Sequence, residues 1–113
     1  MAYPTRECIF VPDQPLCVSQ ANQQLSSNNT DAVYVTFDID AVDPAVAPGT
    51  GTPVPGGLSA REALAVMGVL GSHEAVGAVD MMEVAPTYDP TEGTQRLAAY
   101  LLVRFLERKF AEQ

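Results

Sequence analysis

Two aspartates, Asp38 and Asp40, stand two residues apart in the stretch Thr36-Phe37-Asp38-Ile39-Asp40-Ala41-Val42-Asp43-Pro44, directly after the apolar run Val33-Tyr34-Val35. In a strand, residues i and i+2 point to the same side, so the two carboxylates are expected to project together. Like charges side by side at a strand end are costly unless something positive lies between them, and a divalent cation is the usual answer. Read alone, the pair also fits solvated or helix-capping aspartates, the commoner arrangement where a strand runs into a loop. Asp43, before Pro44, reads as a turn former.

Three further features could carry chemistry. Glu83 lies near the end of a second apolar segment, Ala75–Val84. Parallel pairing of the two segments would bring it near the aspartates, where a carboxylate could hold a planar guanidinium through two parallel hydrogen bonds. A surface glutamate before a turn is the alternative, and Asp80 reads as a buried structural acceptor. The loop Ala47-Pro48-Gly49-Thr50-Gly51-Thr52-Pro53-Val54-Pro55-Gly56-Gly57 combines glycines that permit close backbone approach with threonines that can donate hydrogen bonds. No Lys-Ser/Thr pair follows it, so it is not a phosphate-binding Walker loop. His73, the single histidine, reads as an exposed residue of a polar connection, and no Ser/His/Asp or Cys/His set can be assembled.

The elements that must position these residues follow from pattern. Ala32–Ile39 is almost continuously apolar and reads as a strand buried on both faces. Ser59 with Glu62 three residues later makes a capping box for a helix over Ala60–Leu70, turning Leu64, Val66, Met67 and Leu70 inward, with Gly71 closing it. Ala75–Val84 reads as the second strand and Pro86–Pro90 as a turn. Thr91 or Thr94 then opens a helix to about Lys109 that buries Leu97, Leu101, Phe105 and Leu106. Strand, helix, strand, helix predicts a parallel βαβα unit. Residues 1–30 carry Pro4, Pro12, Pro15 and a polar Ser/Gln/Asn tract. They read as an irregular segment with a short strand at Ile9–Val11 and a short helix near Gln20–Leu25, preceding an α/β portion over residues 31–113.

A chain of 113 residues, 47% hydrophobic and 18% charged, is at most one globular domain. Its net charge of -8 argues against a nucleic-acid surface and suits a cationic ligand or plain solubility. Cys8 and Cys17 form no CxxC motif and have no histidine partner nearby, which argues against zinc and gives no reason to expect a disulfide. No apolar run approaches the ~20 residues of a membrane span and no secretory leader is visible, so a cytoplasmic protein is expected.

Taken together, VYVTFDIDAVDPAVAPGTGTPVPGGLSAREAL followed by VGAVDMMEVAPTYD and a closing helix resembles the ureohydrolase (arginase/agmatinase) family, from Val33 to about Phe105. The resemblance implies an α/β fold, here a βαβα fragment of a three-layer α/β/α arginase-like parallel sheet completed by oligomerisation or a partner. It also implies a binuclear manganese hydrolase that releases urea or a related amide from a guanidino or amidino compound. A metal-activated hydroxide would attack the guanidinium carbon, and collapse of the tetrahedral species would expel the amine. By the same resemblance Asp38 bridges both Mn2+ ions, Asp40 binds one of them, Glu83 holds the guanidinium and Thr52 lies at the substrate end. Arg61 and Glu62 match a pair often near subunit contacts. Agmatine is the leading substrate class, with arginine, guanidinobutyrate and formiminoglutamate open.

The family's GGDH-like and DAHxD-like motifs, which supply the other metal ligands, do not occur here, and residues 1–30 carry no motif of the family. Two functional readings follow: ureohydrolase-type hydrolysis, or a catalytically incompetent fragment serving as an oligomeric or partner-completing module.

Overall fold

The computed structural model describes residues 32–111. They form β1 (Val33–Asp38), α1 (Ala60–Ser72), β2 (Val76–Met82) and α2 (Gly93–Lys109), with single 3-10 turns at Ile39–Ala41 and Pro86–Tyr88. The expected βαβα order is observed. The readings of residues 1–30, including Cys8 and Cys17, lie outside the described residues.

The two strands pair in parallel from Val33↔Val76 to Asp38↔Met82, with a shift after the first pair that leaves Gly77 unmatched. Their inward side chains, Val33, Val35 and Phe37 from β1 with Val76, Val79 and Met81 from β2, join one core with both helices. The expectation of a strand buried on both faces is corrected here. Tyr34 is 62% exposed and Thr36 is exposed beside it, because both helices cover the same face of the sheet. On the open face the Tyr34 hydroxyl donates to Asp80 Oδ2. Asp80 is half-buried there, and the Thr36 and Tyr34 hydroxyls hold its carboxyl below the usual range.

Helix α1 begins as its capping residues dictate: Ser59 Oγ accepts from the Glu62 N–H at 3.1 Å, satisfying one of the free first-turn donors. Ala63, Val66, Met67 and Leu70 are buried. Gly71 does not close the helix, which runs on to Ser72. It is instead a contact point, since a Cβ there would lie 2.3 Å from the Phe105 carbonyl oxygen. Only a glycine lets α2 cross this close. Past that crossing, α2 caps the end of α1: Lys109 Nζ donates to the His73 carbonyl at 3.1 Å and Arg108 Nε to Ser72 Oγ at 3.1 Å. Two cations therefore meet the carbonyl end of the α1 dipole.

Helix α2 buries Thr94, Ala98, Leu101 and Phe105, with Leu97 half-buried. Leu106 is 48% exposed, contrary to the pattern reading, because it follows Phe105 by one residue and so turns about 100° away from the core. No helix of the described residues is long and apolar enough to cross a membrane.

Candidate functional site

Asp38 is the last residue of β1 and caps the 3-10 turn that follows, its Oδ1 accepting from the Asp40 N–H at 3.0 Å. The turn forms because Ile39 is driven completely inside, pulling the chain off the strand path. The alternation expected from a continuous strand therefore stops at Asp38, and a turn joins the two carboxylates. The structure thus also realises the capping role that was the plainer reading of the pair. Burial and the Asp40 and Glu83 charges push the Asp38 carboxyl up from the usual range, against the Asp40 N–H, which favours the charged form.

Thr52 is brought to Asp40: its Oγ1 donates to Asp40 Oδ2 at 2.8 Å. The loop carrying Thr52 is held at its neck. The Asp43 N–H donates to the Leu58 carbonyl at 2.9 Å and the Leu58 N–H to the Ala41 carbonyl at 2.8 Å. The Asp43 carboxylate, read from sequence as a turn former, accepts from Ala45 N–H at 2.8 Å, Gly56 N–H at 2.9 Å and Gly57 N–H at 3.2 Å. These donors lower its pKa and close the loop on itself.

Glu83 follows β2, one residue beyond the Asp38↔Met82 pair. The parallel register therefore sets it near Asp38, close enough for its charge to act on that carboxyl. Its backbone is left-handed, with φ 67°, a conformation that costs a side-chain-bearing residue roughly 1–2 kcal/mol. Strain of this kind is often held at functional positions.

Behind the site lies a cluster that the sequence reading did not single out. Asp89 is 2% exposed. Its Oδ2 accepts from Thr94 N–H at 2.8 Å and Thr94 Oγ1 at 2.6 Å. Its Oδ1 accepts from Thr91 N–H at 3.1 Å and Thr91 Oγ1 at 2.5 Å. The Thr91 and Thr94 donors bring its pKa to about 2. Thr94 Oγ1 in turn accepts from the Gly49 N–H at 2.9 Å, and the Gly49 carbonyl accepts from the Ala85 N–H at 2.7 Å. Neither Thr91 nor Thr94 opens α2 as expected. Glu92, with φ 63°, precedes the first helical residue, and Asp89 supplies the capping carboxylate. The legible signal was an aspartate a few residues before two threonines at a helix start.

His73 is half-buried at the end of α1, where its Nδ1 accepts from the Ala75 N–H at 3.2 Å. It precedes β2, whereas Glu83 follows it, so the only imidazole of the sequence lies at the opposite end of the sheet from the carboxylates. Arg61 is exposed on the first turn of α1. Among the described residues no group of three or more His, Cys, Asp or Glu side chains converges as a metal site.

The arginase family model matches residues 13–107. The chain belongs to the arginase family. That match begins upstream of Val33, where the motif resemblance starts. Among curated members of the family, the chain is 56% identical over 69 residues to an agmatinase from Chromobacterium violaceum, covering 61% of this chain and 21% of that protein. Among solved arginase-family structures, proclavaminate amidino hydrolase from Streptomyces clavuligerus superposes with a TM-score of 0.73 at 41% identity, covering 83% of this chain and 31% of that one. A formiminoglutamase from Trypanosoma cruzi, solved with Mn2+, gives a TM-score of 0.71 at 26% identity, over 78% of this chain and 30% of that one. The chain thus spans about a fifth of the length of the curated relative and under a third of these two structures. The arginase-like α/β fold is shared over the matched part.

Proposed function

We propose that this chain contributes the carboxylate half of a ureohydrolase site, acting on a small cationic guanidino compound of the agmatine class. What supports the reading is the gathering of Asp38, Asp40, Thr52 and Glu83 at the carboxyl ends of two parallel strands, where open α/β sheets hold their ligands. Asp38 and Asp40 would bind manganese. Two like-charged carboxylates, one already pushed up, are anionic oxygen donors of the kind a hard divalent ion takes, and a cation would relieve their conflict. When bound, such an ion supplies a hydroxide nucleophile by lowering the pKa of water. Thr52 steadies the Asp40 oxygen by donating to it. Glu83 engages the planar cation through paired hydrogen bonds and turns its carbon toward the aspartates.

A second reading is favoured by the position of His73. With the single histidine spent on the end of α1, imidazole donors for a two-metal centre must come from outside these 113 residues. The chain then completes its site with a histidine-bearing partner that also covers the open sheet face. Purified chain supplied with Mn2+ and agmatine separates the readings. Urea release by the chain alone supports a self-sufficient oligomeric enzyme, and release only after mixing with a histidine-bearing family chain supports complementation. No urea in either case, with no Mn2+ bound and with Asp38→Asn indistinguishable from wild type, would overturn both.

A further inference from the structure

We infer that Asp89 and Thr94 are positioning residues that tie the Thr52 loop and the Glu83 turn into one rigid unit, so that the two sides of the candidate site move together. The inference rests on the site reading above for its functional meaning, but its geometry is independent of any metal.

Gly49 stands three residues before Thr52, and Ala85 two residues after Glu83. Gly49 is held on both of its polar groups: its N–H donates to Thr94 Oγ1 at 2.9 Å and its carbonyl accepts from Ala85 N–H at 2.7 Å. The first bond ties the loop to α2, and the second ties it to the turn after β2. Thr94 is fully buried, and its hydroxyl hydrogen is committed to Asp89 Oδ2 at 2.6 Å, which leaves a lone pair for Gly49. Asp89 thereby fixes which way the Thr94 hydroxyl points. The chain Asp89, Thr94, Gly49, Ala85 is continuous. A Cβ on Gly49 would sit 2.9 Å from both Asp89 Cβ and Thr94 Cβ, so the contact has no slack.

A helix cap needs only the Thr94 N–H bond to Asp89. The bond to Gly49, 45 residues away in sequence, does nothing for the helix and everything for the loop. The cluster therefore does two jobs, and they can be separated by experiment.

The test uses the full chain, isotope-labelled for NMR. Thr94→Val keeps the shape and the N–H cap but removes the hydroxyl, and Thr94→Ser restores it. Thr94→Val is expected to speed amide exchange at both Gly49 and Ala85 by about tenfold or more. It should also displace the Thr52 and Glu83 backbone resonances together and leave those of Leu70 and Phe105 unchanged, with Thr94→Ser returning them toward wild type. Movement of Gly49 and Thr52 with Ala85 and Glu83 unmoved would overturn the tie. Should Thr94→Val fail to fold, wild-type exchange decides: Gly49 and Ala85 opening with equal protection and equal denaturant dependence support it, and separate openings overturn it. None of these readouts uses Mn2+ or urea, so failure of the proposed activity would appear elsewhere.

Discussion

Thr52 and Asp40 are twelve residues apart in sequence, yet the threonine hydroxyl donates to the Asp40 carboxylate at 2.8 Å. The Asp43 neck makes this possible by folding the Pro/Gly loop back over the end of β1. Replacing Thr52 by Val should weaken Mn2+ binding by roughly five- to tenfold, the worth of one hydrogen bond. Asp38→Asn should remove binding almost entirely. Free Mn2+ measured by electron paramagnetic resonance reads both, and wild-type affinity in Thr52→Val would take Thr52 out of the site.

The left-handed backbone at Glu83 reverses an ordinary ranking. At most positions Ala is more stabilising than Gly, because glycine loses more freedom on folding. At Glu83 the strain outweighs that term, so Glu83→Gly should be more stable than Glu83→Ala by about 1 kcal/mol. Urea unfolding of the two variants gives the comparison directly. An alanine variant more stable than the glycine one would contradict the backbone geometry.

At the helix crossing two effects oppose one another. Gly71→Ala improves helix propensity by about 1 kcal/mol, but its Cβ would stand 2.3 Å from the Phe105 carbonyl oxygen. Backbone atoms cannot yield as a side-chain tip can, and overpacking costs about 1–3 kcal/mol. A net loss of stability is expected, seen as a lower urea midpoint with unchanged slope. Gly51→Ala, with open space around it, should lack this clash.

Acid should loosen the cluster behind the site. Asp89 is brought to about 2 when folded, against about 3.9 for an unperturbed aspartate. Between these values the unfolded chain binds more protons, so stability rises with pH across the window. The contribution is complete above about pH 4 and lost as pH falls toward 2. Asp89→Asn should flatten the acid limb of a stability profile taken from pH 5 to pH 2, and an unchanged limb would count against the assignment.

The order of elements, the Ser59 cap, the parallel pairing and the approach of Glu83 to Asp38 were legible because each depends on local pattern. Other features depended on tertiary context. Apolar continuity in Val33–Phe37 signals a strand that can be covered twice, but cannot say which layers are present. Tyr34 and Thr36 stay open because both helices choose one face. Gly71 carries a helix-ending signature, and only the nearness of Phe105 shows that its lack of a side chain serves a crossing. Asp89 looked like part of a turn, because its main partners, Thr94 and through it Gly49, come together only in the fold.

The cations that end α2 have one more consequence. Four of the six Lys and Arg residues, Arg96, Arg104, Arg108 and Lys109, belong to that helix. Arg108 and Lys109 are fastened beside Ser72 and His73, before β2, while Asp38, Asp40 and Glu83 lie at the strands' other ends. Among the described residues, these two fixed cations and these three carboxylates stand at opposite ends of the strands. On the proposed function, a small cation should therefore be drawn toward the carboxylate end of the strands, and its capture should slow as added salt shortens the reach of those charges.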